Sequence, residues 1–293
     1  MDKTASKAIN VRSFRQKWKD YRRHPGSLIL FLLVCLAALI TLAVLFFLVV
    51  YILVMGIPNL KPSLFAWEYN STNVSMTPAI INTVIMMVIT LLIAVPLGIC
   101  SSVYMVEYAK RGSKLVRVVR VTTETLQGIP SIVFGLFGFL VFVLLFKWDY
   151  SLIAGALTLA IMVLPVIMRT TEEALLAVPD SYREGSFGLG AGRLRTVFKV
   201  VLPSAVPGIL AGIILSIGRI VGETAALIFT AGTVAELPTS LTSSTRTLAV
   251  HMYALLNEGL YVEEAYATAV VLLVVVLIIN LISSALGRKI ARN

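Results

Sequence analysis

Six separate runs of apolar residues, each long enough to cross a bilayer, decide what this chain can fold into. They lie at about residues 28–55, 78–107, 124–146, 151–171, 206–231 and 266–287, and a spanning helix needs about 20 mostly apolar residues. A soluble domain with a polar shell could not carry such a balance, with 58% hydrophobic residues over 293 positions and a mean hydropathy of +0.92. The expected fold class is an all-α membrane protein with six transmembrane helices.

Orientation follows from the 25 Lys and Arg residues, because positive charges resist translocation and collect in cytoplasmic loops. Eight fall before the first run (Lys3, Lys7, Arg12, Arg15, Lys17, Lys19, Arg22, Arg23). Five follow the second (Lys110, Arg111, Lys114, Arg117, Arg120), five lie around the loop after the fourth, counting Arg169, and three are in the tail. The alternate loops hold only Lys61, Lys147 and Arg246, and the last of them carries Glu236, Glu258, Glu263 and Glu264. Both termini are therefore expected in the cytoplasm, in a multi-pass protein of the cytoplasmic (inner) membrane. The organisation reads as a basic arm at 1–27, a first helix at 28–55, a core at 78–287 and a tail at 288–293. A net charge of +10 is divided among short juxtamembrane segments, so it speaks for topology and against nucleic acid. Residues 1–27 are too basic and too long for an ordinary signal n-region, and the first run is expected to be retained.

Cys35 and Cys100 lie inside apolar runs and read as packing residues. The outward loop 56–77, with Pro58, Pro62 and Trp67, reads as an interfacial connector, and its two glycosylation-like triplets at Asn70 and Asn73 are of a kind frequent by chance. Val95-Pro96-Leu97-Gly98 is expected to interrupt the second span. Gly128-Ile129-Pro130-Ser131 opens the third, followed by Gly135 and Gly138; such residues bend helices and let backbones approach closely, so they either line a path or form hinges, with helix packing the alternative for Gly135 and Gly138.

The stretch at about 172–205 differs in kind. Pro179 suits an early helical position, and Ser181 with Glu184 has the spacing of a capping box, which predicts a short helix over about 180–187. Gly188, Gly190 and Gly192 permit a sharp turn with positive φ. Leu194, Val197, Phe198 and Val201 then recur at helical spacing, opposite Arg193, Arg195 and Lys199. Pro203 and Pro207 are expected to break this helix at Leu202-Pro203 and to redirect the chain into the fifth span.

Glu184-Gly185-Ser186, Gly190 and, nine residues on, Val200-Val201-Leu202-Pro203 resemble the cytoplasmic EAA loop of ABC-importer permeases, with Gly, Ser and Val standing for Ala, Ala and Ile. Gly128-Ile129-Pro130-Ser131-Ile132-Val133-Phe134-Gly135, Met168-Arg169-Thr170-Thr171-Glu172-Glu173, Pro179-Asp180-Ser181-Tyr182-Arg183-Glu184 and Gly218-Arg219-Ile220-Val221-Gly222-Glu223-Thr224-Ala225 are similar to phosphate-importer permeases of the PstA type, over about residues 78–287. The resemblance implies a type I ABC importer (MetI-like) core plus a preceding helix. It also implies a paralogous permease partner of the PstC type, a homodimeric ABC ATPase that binds ATP and Mg, and an extracytoplasmic phosphate-binding protein. Ser181, Glu184, Gly190, Leu202 and Pro203 would then couple to the ATPase, with inorganic phosphate as cargo. Sulfate or molybdate is the alternative cargo, and a secondary transporter the alternative machine.

An ionised side chain in mid-span costs roughly 2.5–3.5 kcal/mol, so each one there is a functional candidate. Arg219 stands between Ile214-Leu215 and Leu227-Ile228 and offers a planar fork of donors suited to phosphate oxygens. Glu223, four residues on, is expected on the same helical face, either as a fixed salt bridge or as a gate that yields Arg219 to an anion. Arg169 either faces the cytoplasmic mouth of a pathway or snorkels to headgroups. Glu124, beside Thr122 and Thr123, either caps the start of the third span or meets a passing anion. Against an enzyme, the sequence has neither His-Glu-x-x-His nor Gly-x-Ser-x-Gly, and His24 and His251 are isolated. It has no Gly-x-x-x-x-Gly-Lys-Ser/Thr phosphate loop either, so ATP would be bound by a partner.

Overall fold

The computed structural model describes residues 25–110 and 112–290. The basic residues at positions 3–23, with Arg111 and Arg292, lie outside them. Among the described residues every regular element is a helix. Helix α1 (Pro25–Gly56) carries no charge along 32 residues. At 1.5 Å per residue it is about 48 Å long, beyond the roughly 30 Å of a hydrocarbon core. Its residues 25–54 are the described part of the first of two compact units, Met1–Val54, and nearly all of its apolar side chains are exposed.

The second unit, Met55–Asn293, is built on α2 (Thr77–Tyr108), α5 (Leu152–Leu176), α7 (Arg193–Val221) and α10 (Val262–Ile290). Helix α5 is its centre: Leu159, Met162, Val163 and Ile167 are fully buried, packed with Met86 and Ala94 of α2 and Ile220 of α7. Small residues bring the backbones together. A Cβ on Gly98 would strike Ile167, and one on Gly212 would strike Thr170. Pro96 does not interrupt α2, which runs through it from Thr77.

Three further expectations are corrected by the backbone. The third span is not one helix over 124–146. Lys114–Gln127 forms α3, Ser131–Leu145 forms α4, and the two are bent by 106°. Pro130 has no N–H to continue a helix and disfavours helical geometry at Ile129, so α4 starts afresh. Conversely, Pro203 does not end the helix before it. A π turn at Val197–Val201 immediately precedes Leu202–Val221, so α7 is continuous and the missing donor of Pro203 is absorbed by a locally widened ladder. The fifth span stops early, at Val221, with Gly222 as its cap, and Ala225–Thr230 forms a separate short helix, α8. A Cβ on Gly135 would meet the Ala226 backbone, and one on Gly138 would meet Thr158 and Thr230, so these two glycines pack α4 onto α5 and α8.

The end of the bundle away from the basic loops has its own core. Leu64, Val74 and Met76 from the first connector pack with Leu248 and Leu255 of α9 (Leu248–Glu258). His251, expected to be isolated, is fully buried there beside Tyr69, over whose ring Arg246 sits at 4.6 Å. Asn70 Oδ1 accepts from the Thr72 and Asn73 backbones, so this side chain closes a turn.

Candidate functional site: a coupling loop and a membrane groove

Helix α6 (Asp180–Gly188) covers the predicted short helix. It has no capping box: Pro179 is the N-cap residue and no side chain caps the end, since Ser181 is already the second residue of the helix, two positions past the cap. Of the three glycines in the turn, only Gly190 has positive φ, at +82°. Behind it the loop is tied by a hydroxyl contact of 2.8 Å between Ser186 and Thr196, and by the Ala191 N–H donating to the Ser186 carbonyl.

The two sides of this loop contrast. Val197 and Val201 are buried against Val103, Leu175 and Ala205, with Leu202 packed beside them. Tyr182, Phe187, Leu194 and Phe198 are exposed, and Leu189 is 91% exposed. The predicted apolar stripe is thus divided, Val197 and Val201 inward, Leu194 and Phe198 outward. Glu184, on the same helix as Tyr182 and Phe187, is exposed. So many exposed large apolar side chains on one short loop make it a candidate interaction surface.

The second feature lies between α5, α7 and α10. Val166, Ile214, Leu215, Gly218, Arg219 and Asn280 line a groove of about 600 Å³. Arg219 is half-buried, and among the described residues no carboxylate lies within ion-pair distance of it. The expected Arg219–Glu223 pairing does not form, because the helix ends at Val221 and Glu223 lies past the turn. The Glu223 carboxylate instead accepts the Ala226 N–H at 3.2 Å and is buried. Arg169 pairs with Glu173 at 3.0 Å on an exposed face of α5. Glu124 sits exposed near the end of α3, and so caps no helix start. The structure therefore brings Arg219 to the groove and leaves Glu223, Arg169 and Glu124 outside its lining.

Asn280 is the groove residue that sequence reasoning passed over. A signal was present: it is a lone amide inside the apolar run 266–287, where a polar group demands a partner.

Residues 94–293 match the family described as the binding-protein-dependent transport system inner membrane component. The chain is 38% identical over 281 residues to the probable ABC transporter permease protein YqgI of Bacillus subtilis, covering 88% of this chain and 94% of that protein. It is 41% identical over 154 residues to the phosphate transport system permease protein PstA 1 of Mycobacterium tuberculosis, 53% of this chain and 50% of that one. With PstA of Pasteurella multocida it shares 41% over 178 residues, 60% and 63% of the two chains. The match therefore spans nearly all of the first relative and less than two thirds of the other two. Among solved structures, a bacterial alginate ABC transporter superposes with a TM-score of 0.69 at 17% identity, over 94% of this chain and 98% of that one. The MetNI methionine ABC transporter gives 0.58 at 21% identity, over 73% and 94%. The fold is that of ABC importer permeases.

Proposed function

This chain belongs to the family of binding-protein-dependent transport system inner membrane components, and on that premise we propose that it is the permease subunit of an ATP-driven importer of inorganic phosphate. It is a multi-pass inner membrane protein, and in this reading its basic loops and both termini face the cytoplasm. The loop 172–205 docks on an ATPase homodimer that binds ATP and Mg. A paralogous permease completes the pathway, and an extracytoplasmic binding protein delivers phosphate.

One observation carries the reading: Glu184 and the apolar side chains around it stand exposed on a loop whose other side is packed into the bundle. Closure of the ATPases on ATP would push on α6, and the loop's tie to the bundle would carry that displacement into the spans. Such a device alternates access only if the ATPase contacts the loop differently in its two states. The cargo rests on the PstA relatives and on Arg219, whose guanidinium suits phosphate oxygens.

The test is co-purification of the chain with its partners, followed by ATP hydrolysis with and without phosphate-loaded binding protein. Stimulation by the phosphate-loaded protein is expected. A complex that forms but responds only to another oxyanion overturns the cargo, and phosphate transport by the purified chain without ATP overturns the machine class.

A further inference from the structure

Arg183 lies in α6, one residue before the exposed Glu184, and faces the other way. Its Nη2 donates to Glu107 Oε1 at 2.7 Å and to the Leu175 carbonyl at 2.9 Å. Its Nη1 donates to the Val178 carbonyl at 2.8 Å and to Asp180 Oδ1 at 3.2 Å, and its Nε to Glu107 Oε1 at 3.1 Å. All three nitrogens are thus engaged. The side chains of Arg183 and Glu107 are only 15% and 9% exposed.

Three elements meet on this one side chain. Glu107 belongs to the π turn Tyr104–Tyr108 that ends α2. Leu175 is in the last turn of α5 and Val178 lies just past it, where the final carbonyls of a helix lack intrahelical donors and a cation is favoured by the helix dipole. Charge-assisted bonds of a planar guanidinium are stronger than neutral ones and are directional, so they hold an angle as well as a distance.

We propose that Arg183 is the positioning residue that transmits displacement of the coupling loop to α2 and α5 together. The inference rests on the reading of α6 as the ATPase-docking helix. A push on Glu184 moves Arg183 one residue away. Because Arg183 holds the end of α2 and the end of α5 at once, both must follow α6 as one body. Helix α5 carries Val166 on the groove wall, so the clamp joins the docking surface to the groove where Arg219 lies.

The experiment uses the complete complex with ATPase, partner permease and binding protein, reconstituted in proteoliposomes and normalised for assembled complex. Phosphate moved per ATP hydrolysed is compared for wild type, Arg183→Gln, Arg183→Lys and Glu107→Gln. A lysine keeps the charge but cannot span the carboxylate and both carbonyls from one nitrogen. The ratio is expected to fall about fivefold or more in Arg183→Gln, and less in Arg183→Lys and Glu107→Gln, while ATP hydrolysis per complex persists. A residue that only stabilises the loop would lower the yield of complex and leave the ratio alone. A ratio within about twofold of wild type in assembled Arg183→Gln overturns the proposal. If that variant does not assemble, Arg183→Lys and Glu107→Gln decide by the same ratio. A wild-type complex whose phosphate uptake is independent of ATP would overturn the functional reading itself, which separates the two failures.

Discussion

Arg219 of α7 and Asn280 of α10 line one groove from two different helices, and among the described residues Arg219 has no carboxylate partner. The groove is otherwise apolar, so the guanidinium and the amide are the two side chains in its lining that can donate hydrogen bonds, and on the proposed function they would meet the oxyanion. Arg219→Gln is expected to lower phosphate uptake by about tenfold to a hundredfold, the loss of a charge-assisted hydrogen bond. Asn280→Leu, losing a neutral one, is expected to cost about two- to tenfold. Uptake measured in complexes of unchanged assembly checks both, and wild-type rates for Arg219→Gln would remove it from the pathway.

Gly190 adopts φ +82° with open space where a Cβ would stand, so a substitution there tests backbone strain with no clash. Gly190→Val is expected to destabilise the turn by at least about 1–2 kcal/mol, and Gly190→Asn by less, because Asn tolerates the left-handed region. Protease sensitivity of the loop in the purified complex reads this out, with Val more sensitive than Asn and Asn close to wild type.

The lobe away from the basic loops carries a pH dependence. Burial first, and then the positive charge of Arg246, push His251 from 6.5 down to about 3, with the Val74 backbone opposing. The folded state therefore keeps this imidazole neutral where the unfolded chain would protonate it. Its contribution to stability is fully present above about pH 6.5 and is lost as pH falls towards about 3, by about 1.4 kcal/mol per unit and about 2 kcal/mol by pH 5. Thermal unfolding of the detergent-solubilised protein should fall in Tm between pH 7 and pH 5, and His251→Leu should flatten that fall. An equal slope in both proteins would place the acid sensitivity elsewhere.

How much of this was legible in the sequence depends on whether the signal was local. The apolar runs located five long helices and α4 but not α3, and Pro179 with Gly190 located α6 and its turn, because hydropathy and backbone restriction act over a few residues. Proline was read unevenly. A bend was expected at Pro130 and is there, but at 106° it parts two helices where one span over 124–146 was expected, whereas Pro203 is carried by a π turn where a break was expected. The difference lies in whether the preceding turn can widen, which composition does not record. Glu223 was placed on the Arg219 face by counting four residues, a rule that holds only while the helix continues, and Gly222 ends it. Glu107 and Arg183 are 76 positions apart, as Tyr69 and Arg246 are far apart, so no periodicity could pair them.

The central claim is that the exposed side of α6 is an ATPase-docking surface. The most direct test places single cysteines by Glu184→Cys or Leu189→Cys, with Cys35 and Cys100 replaced, and cross-links the assembled complex with a short bifunctional reagent. Both positions are expected to link to the ATPase subunit, with a yield that changes when ATP is bound. An intact, active complex in which neither position reaches the ATPase would contradict the account.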